Sequence, residues 1–288
     1  PFSLLQLGEL FLEEKNFSSA RKYFKEIEEK FPKHPIVVDS VFKTALSFYQ
    51  EGKFNEAIYI LQSIQEKWDN SPLIPEVLYW IGWCYFRKDE YNEAMKFYQK
   101  ILKEFPDTQF SEEALYQTGN CYYNLANYTE AENTYRELLK LYPKGKRKDE
   151  TYYSIASTYL KTGNDAEGLS YLEKYTTEFP DGELIAEVYL QIAHYHYSRE
   201  DYTQARKYFD LLIEKMPNHK LASEAYYWEG WAYYQQQNFT EAINTFTKIQ
   251  SESWEKEDAA FRIAECLYME EKWDEAYNAY SAAGYAIS

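Results

Sequence analysis

Apolar residues in this chain recur at two nested periods. In the stretch SEEALYQTGNCYYNLANYTEAENTYRELLKLYP (111–143) they fall three and four residues apart, first in one run and then in a second. That spacing predicts two amphipathic helices, each burying one stripe. The whole pattern then repeats. Ala20, Ala57, Ala94, Ala131, Gly168, Ala205 and Ala242 are 37 residues apart, and Ala276 follows after 34. Numbering each repeat from its first residue, position 8 holds Gly8, Ala45, Gly82, Gly119, Ala156, Ala193, Gly230 and Ala264. Position 17 is aromatic except at Asp165, and position 32 is proline at Pro32, Pro106, Pro143, Pro180 and Pro217. A fixed period of this length marks an array of supersecondary units, each burying its apolar face on its neighbours.

Each unit reads as helix, tight turn, helix and proline-marked turn, because proline neither continues a helix nor tolerates an α conformation before it. Position 18 (Ser18, Asn55, Asn92, Thr129, Thr203, Thr240, Asp274) is expected to cap the second helix, and the acid that usually follows suits the helix dipole. The residues after the proline carry an apolar side chain at Ile36, Leu73, Phe110, Leu184 and Leu221, expected to anchor an added turn of the next helix. The units run about 1–37, 38–74, 75–111, 112–148, 149–185, 186–222, 223–256 and 257–288, and are expected to form one solenoid over 1–288. Repeat five is expected to be the weak unit. It has Asp165 for the aromatic, Ala166 at the expected cap, Gly168 for alanine, and Arg147 for the apolar anchor leading in.

Gly/Ala at position 8, Tyr at 11, Ala at 20, Phe/Tyr at 24 and Pro at 32 resemble the tetratricopeptide repeat (TPR). The resemblance implies an all-α, right-handed superhelical α-solenoid of eight helix-turn-helix units. The period is 37 rather than the commoner 34. Aromatic-Pro endings followed by a longer connection are similar to a bacterial cell-envelope subgroup. That subgroup includes the Tol–Pal-associated periplasmic protein and the barrel-assembly lipoprotein. It implies a periplasmic or envelope location, which the residues themselves leave unknown.

Composition narrows the function. The net charge of −16 opposes nucleic acid, which such proteins recruit with a basic face. No apolar run reaches the length of a membrane span. Cys84, Cys121 and Cys266 all occupy position 10, so they fill one small slot in three units. Equivalent sites on stacked units sit about 8–10 Å apart, too far for a disulfide, so free thiols are expected. The chain begins at Pro1 in repeat phase and stops in a helical turn near Ser288, as a segment of a longer protein would.

Catalytic and metal motifs are lacking. PKGKRKD (143–149) has neither the glycine spacing nor the terminal Lys-Ser/Thr of a phosphate loop. Its Lys144, Lys146, Arg147 and Lys148 read as a solvated basic loop. His194 and His196 lie on opposite sides of a helix and cannot share a metal. Asn16, Asn127 and Asn238 fit the glycosylation pattern, but the repeat accounts for all three as turn residues. No cofactor and no enzyme activity are expected.

The candidate site is a second stripe on the first helices, at positions 2, 5, 9, 12 and 13, which the TPR resemblance places in the concave groove. Position 2 supplies Asp39, Glu76, Glu113, Glu150, Glu187, Glu224 and Asp258. Positions 5 and 12 supply Tyr79, Tyr116, Tyr153 and Tyr227, then Tyr123 and Tyr234 among other aromatics. Position 9 supplies Trp83, Asn120 and Trp231, with Trp80 and Trp228 at position 6. Tryptophan is the commonest interface hot spot. Carboxylate clamps of chaperone-binding members need Lys, Asn and Arg here, whereas this row is acidic. The expected function is a non-catalytic protein-interaction scaffold. It would bind an extended or helical, partly basic segment of another protein in this acidic-aromatic groove. The alternative is a structural block in a larger envelope or motility assembly, with self-association.

Overall fold

The computed structural model describes residues 1–249 and 254–284, so the expected helical end near Ser288 lies outside the described residues. Among the described residues the chain is all α, with sixteen helices and no strand. They come in pairs: α1 (Phe2–Glu13) with α2 (Phe17–Lys30), α3 (Ile36–Gln50) with α4 (Phe54–Lys67), α5 (Ile74–Arg87) with α6 (Tyr91–Glu104), and α7 (Gln109–Asn124) with α8 (Tyr128–Leu141). Then follow α9 (Lys148–Lys161) with α10 (Asp165–Glu178), α11 (Ile185–Ser198) with α12 (Tyr202–Lys215), α13 (Ala222–Gln235) with α14 (Phe239–Phe246), and α15 (Trp254–Met269) with α16 (Trp273–Ala282). Each pair is one predicted repeat. By packing, the chain divides into two compact units, 1–151 and 152–288, with the division inside α9.

Inside each pair the helices close on small side chains. Ala20, Ala57, Ala94, Ala131, Ala205 and Ala242 are all fully buried. Position 8 meets position 24, and their sizes compensate. A Cβ on Gly82 would lie 2.6 Å from the Tyr98 ring, and one on Gly119 would lie 2.5 Å from Tyr135. Gly8 faces Phe24 and Gly230 faces Phe246 in the same way. Where position 8 is alanine, at Ala45 and Ala156, position 24 is the smaller Leu61 or Leu172, again fully or almost fully buried. Ala193 with Phe209 and Ala264 with Tyr280 are exceptions. Interiors packed near crystal density tolerate neither the added methyl nor the void.

The turns and caps are periodic too. Position 15 has positive φ in every repeat, at Lys15, Gly52, Asp89, Ala126, Gly163, Glu200, Gln237 and Glu271. The second helix starts at position 17, so its cap is position 16, not 18. Asn16 and Asp201 accept from the N–H three residues on, at 3.2 Å each. The expected position-18 residues sit inside the first turn instead. Of the expected anchors, Ile36 and Phe110 lie within helices, while Leu73, Leu184 and Leu221 stand just before one.

The connections share a feature that the sequence did not reveal. In five of them a side chain accepts the N–H of position 36. His34 Nδ1 accepts from Ile36 at 3.2 Å, Ser71 Oγ from Leu73 at 3.3 Å, and His219 Nδ1 from Leu221 at 3.3 Å. Where position 34 is glycine, the acceptor comes from farther away. Glu112 Oε1 accepts from Arg147 at 2.7 Å, and the Tyr175 hydroxyl accepts from Leu184 at 3.2 Å. Added Cβ atoms on Gly145 and Gly182 would strike those same acceptors.

Repeat five is adapted rather than merely depleted. Arg147 is not part of a solvated basic loop: its guanidinium binds Glu113 and Glu150. Asn164, not Ala166, holds the cap position. Gly168 lets α10 approach α9, because a Cβ there would lie 2.9 Å from Leu160 and 3.2 Å from the Ala156 carbonyl oxygen. Asp165 forms an ion pair with Arg199 at 3.0 Å, half exposed and therefore of small energy.

The left-handed turn residue gives a direct test. Ala126 is exposed at φ 59°, a conformation that costs a side-chain-bearing residue about 1–2 kcal/mol. Allowing for glycine's greater freedom in the unfolded chain, Ala126→Gly is expected to stabilise by about 0.5–1 kcal/mol. Urea unfolding measures it, and a lower midpoint would contradict the strain.

Candidate partner-binding face

In the unit 1–151 the predicted stripe forms a connected network. Tyr79 lies 5.9 Å from Trp80 and 6.4 Å from Trp83, between ring centroids. Trp83 stacks on Phe86 at 5.2 Å, and its Nε1 donates to the Tyr49 hydroxyl at 2.6 Å. Trp80 meets Tyr49 edge-on at 5.0 Å. Both tryptophans are half-buried rather than exposed, and through Tyr49 both join repeats two and three. Tyr116 packs on Tyr135 at 6.0 Å, and Tyr123 on Tyr128 at 5.5 Å.

The acids of this face are tied into the same network. The Tyr79 hydroxyl donates to Glu113 Oε1 at 3.2 Å, and Arg147 Nε donates to Glu113 Oε2 at 2.6 Å. Arg147 also reaches Glu150 at 2.7 Å and lies over the Tyr116 ring at 5.5 Å. Burial alone would lower the guanidinium's pKa. The hydrogen bonds and charges of Glu113 and Glu150 outweigh it, so Arg147 stays a cation. Burial, then the neighbouring Asp149, raises the Glu150 carboxyl against the pull of Arg147. Burial likewise raises Glu76. Asn120 accepts from the Tyr135 hydroxyl at 2.6 Å and donates to Gln117 at 3.0 Å, so it braces the helix pair from within.

The unit 152–288 repeats the theme with other residues. The Tyr227 hydroxyl donates to Asp258 at 2.6 Å, and Arg262 binds Asp258 at 2.9 Å and Glu265 at 2.7 Å. The Arg262 guanidinium lies 4.7 Å over Trp231, which also meets Tyr234 at 5.2 Å. Trp228 packs on His194 and Tyr197 at 5.2 and 5.3 Å. Glu187 has Lys220 at 3.3 Å, and Glu224 has His194 at 3.5 Å. Gln191 Nε2 donates to the Tyr153 hydroxyl at 2.6 Å. Both units thus build the face by one rule: a tyrosine at position 5 adjoins an acid at position 2 of the next repeat.

Sequence reasoning missed the roles of Arg147, Arg262 and Gln117, which bind these acids, and of Gln191, which bonds Tyr153. A signal existed for Arg147, the one basic residue among the apolar anchors. Cys84, Cys121 and Cys266 are fully buried, and burial pushes each thiol up to about 12, away from thiolate chemistry. Among the described residues no group of three or more His, Cys, Asp or Glu could hold a metal, and no helix is long and apolar enough to cross a membrane.

Tetratricopeptide repeat families match residues 2–34, 39–71 and 116–183. The family described as anaphase-promoting complex, cyclosome, subunit 3 matches 70–138, and the YfiO outer membrane lipoprotein family matches 150–267. The chain is a tetratricopeptide-repeat protein. Its second part resembles the outer membrane lipoprotein family. No curated protein sequence matches it. Among solved structures, a tetratricopeptide repeat protein from Parabacteroides merdae ATCC 43184 shares 20% identity, covers 92% of this chain and 98% of its own, and has a TM-score of 0.60. The C-terminal part of a TPR repeat-containing protein from Cytophaga hutchinsonii has 16% identity, coverage of 88% and 98%, and a TM-score of 0.67. The apo form of RapI has 16% identity, coverage of 98% and 86%, and a TM-score of 0.69.

Among the described residues one carboxyl group sits in the core itself. Glu229, 5% exposed, occupies position 7 of α13, where α5, α9 and α11 carry the fully buried Ile81, Ile155 and Ile192. Burial first and Asp210 second push its pKa up to about 8, against Lys248 and Arg206. A raised carboxyl holds its proton in the folded state while the unfolded chain loses it, so stability falls as pH rises from about 4.5 to about 8. Glu229→Gln removes that dependence. Its melting temperature is expected to gain on the parent progressively across this window, whereas parallel pH profiles would show that Glu229 is ionised throughout.

Proposed function

We propose that this protein is a non-catalytic scaffold whose first-helix face holds an extended or helical, partly basic segment of another protein. Tetratricopeptide repeats are commonly protein–protein interaction scaffolds and are generally non-catalytic, which supports the general reading. The observation that carries the specific one is the half-buried state of Trp83 and Trp231. Each is held by neighbouring side chains and keeps part of its surface exposed. Rigid aromatic anchors of this kind give contact area at low entropic cost. The acids beside them favour lysine or arginine in the bound segment, although several already carry a cation of the chain. Attraction is therefore local, and the aromatic residues supply most of the affinity.

A second reading is a building block within an envelope assembly. The outer membrane lipoprotein resemblance over 150–267 favours it. So do the large exposed side chains Trp254, Tyr268, Met269, Trp273 and Tyr277 on α15 and α16. Concentration-dependent self-association would support this reading.

Peptide display against the folded protein tests the scaffold. Selected peptides are expected to combine apolar and basic residues and to bind more weakly at high salt. Trp83→Ala or Trp231→Ala should cost about 2 kcal/mol of binding with helicity intact. Unchanged affinity in the double variant would move the site to another face.

A further inference from the structure

Among the connections after repeats one to six, the one after repeat two departs from its siblings at three places. Position 31 is Trp68, where the others carry Phe31, Phe105, Tyr142, Phe179 and Met216. Position 32 is Asp69, where all five others carry proline, and position 35 is Pro72, matched only by Pro35. Packing between repeats does not require these residues, since the siblings close without them.

Trp68, Pro72 and Leu73, with Pro35, Val38 and Asp39 at the start of α3, line a pocket of about 600 Å³. The lining also holds Asp69 and the exposed Lys67, which stands 6.0 Å from the Trp68 ring centroid, the outer limit of a cation–π contact. Two carboxylates against one ammonium leave it net acidic. Trp68 is half-buried, and among the described residues neither its Nε1–H nor the Asp39 carboxylate has a hydrogen-bond or ion-pair partner.

The wall selects the form of its ligand. Pro35 and Pro72 have no N–H, and the N–H groups of Ser71 and Leu73 are taken by the Trp68 carbonyl at 2.9 Å and Ser71 Oγ at 3.3 Å. An extended strand would find no ladder of donors here. A helix would offer the indole no free carbonyl along its length, because its own backbone uses them. A polyproline II segment meets both conditions. Its backbone makes no internal hydrogen bonds, and its rings dock on aromatic surfaces.

We propose that this pocket binds a proline-rich, polyproline II segment of another protein, flanked by a basic residue. A ligand proline would pack against Trp68 and Pro72, a ligand carbonyl would accept from Trp68 Nε1, and a flanking lysine or arginine would meet Asp39. Asp39 is the one residue the pocket shares with the acidic row of the first helices. The proposal therefore goes beyond the first-helix reading and gives the scaffold a second contact.

Nitrogen-labelled protein is titrated with a capped peptide of prolines ending in arginine, and the tryptophan indole signals are followed by NMR. The Trp68 signal should move saturably, and the same peptide with glycine for proline should leave it in place. Trp68→Phe keeps a ring that three sibling connections already carry, so the fold is retained. It should weaken binding about fivefold, read from the backbone amide of Leu73. Asp39→Asn should weaken it about threefold and flatten its salt dependence. An unmoved Trp68 signal, or an equal response to the glycine peptide, overturns the proposal. The Trp83 and Trp231 signals separate it from the first-helix reading. If displayed peptides move only these, the pocket fails and that reading stands, whereas movement of Trp68 alone by every ligand does the reverse.

Discussion

The close approach of two helices at positions 8 and 24 governs everything else in this chain. In six of the eight pairs the bulk at those positions compensates, and only Ala193–Phe209 and Ala264–Tyr280 depart from the pattern. Glycine faces an aromatic ring at Gly82–Tyr98 and Gly119–Tyr135, and alanine faces leucine at Ala45–Leu61 and Ala156–Leu172. With that spacing set, the second stripe of each first helix is left to face neighbouring repeats and solvent. The left-handed residue at position 15 then turns the chain into the second helix at a fixed angle.

Between repeats the apolar contact is supplemented by polar links of several kinds. The side-chain acceptors for position 36 secure the connections. The tyrosine-to-acid bonds and the two arginines secure the first-helix face. These links explain how an acidic row survives without mutual repulsion: Glu113, Glu150 and Asp258 are held by guanidinium groups of the same chain.

The helix pairs, their order and their buried small residues were legible in the sequence because burial acts position by position, and a 37-residue repeat displays it many times over. Caps were misread by two residues because Asn, Ser and Thr stand at both 16 and 18 in several units, and only the backbone shows where the helix begins. The roles of Arg147 and Glu112 were hidden for another reason. Glu112 and Glu113 lie about one repeat from Arg147 along the chain, and side-chain reach over that separation leaves no periodic mark. Arg147 looked like a lost anchor because only its departure from leucine is visible in one dimension. The tryptophans were placed on the right helices, but their half-burial depends on Tyr49 and Arg262, which no local pattern connects to them.

The volume rule is tested most directly in repeat three, where the Tyr98 hydroxyl has no hydrogen-bond partner to confuse the result. Gly82→Ala, Tyr98→Leu and the double variant are compared by urea unfolding. Each single change should destabilise, by overpacking or by a cavity, and the double variant should recover a coupling of about 0.5–3 kcal/mol, because it recreates the Ala45–Leu61 pair. Strict additivity of the two losses would contradict the claim that positions 8 and 24 share one fixed space.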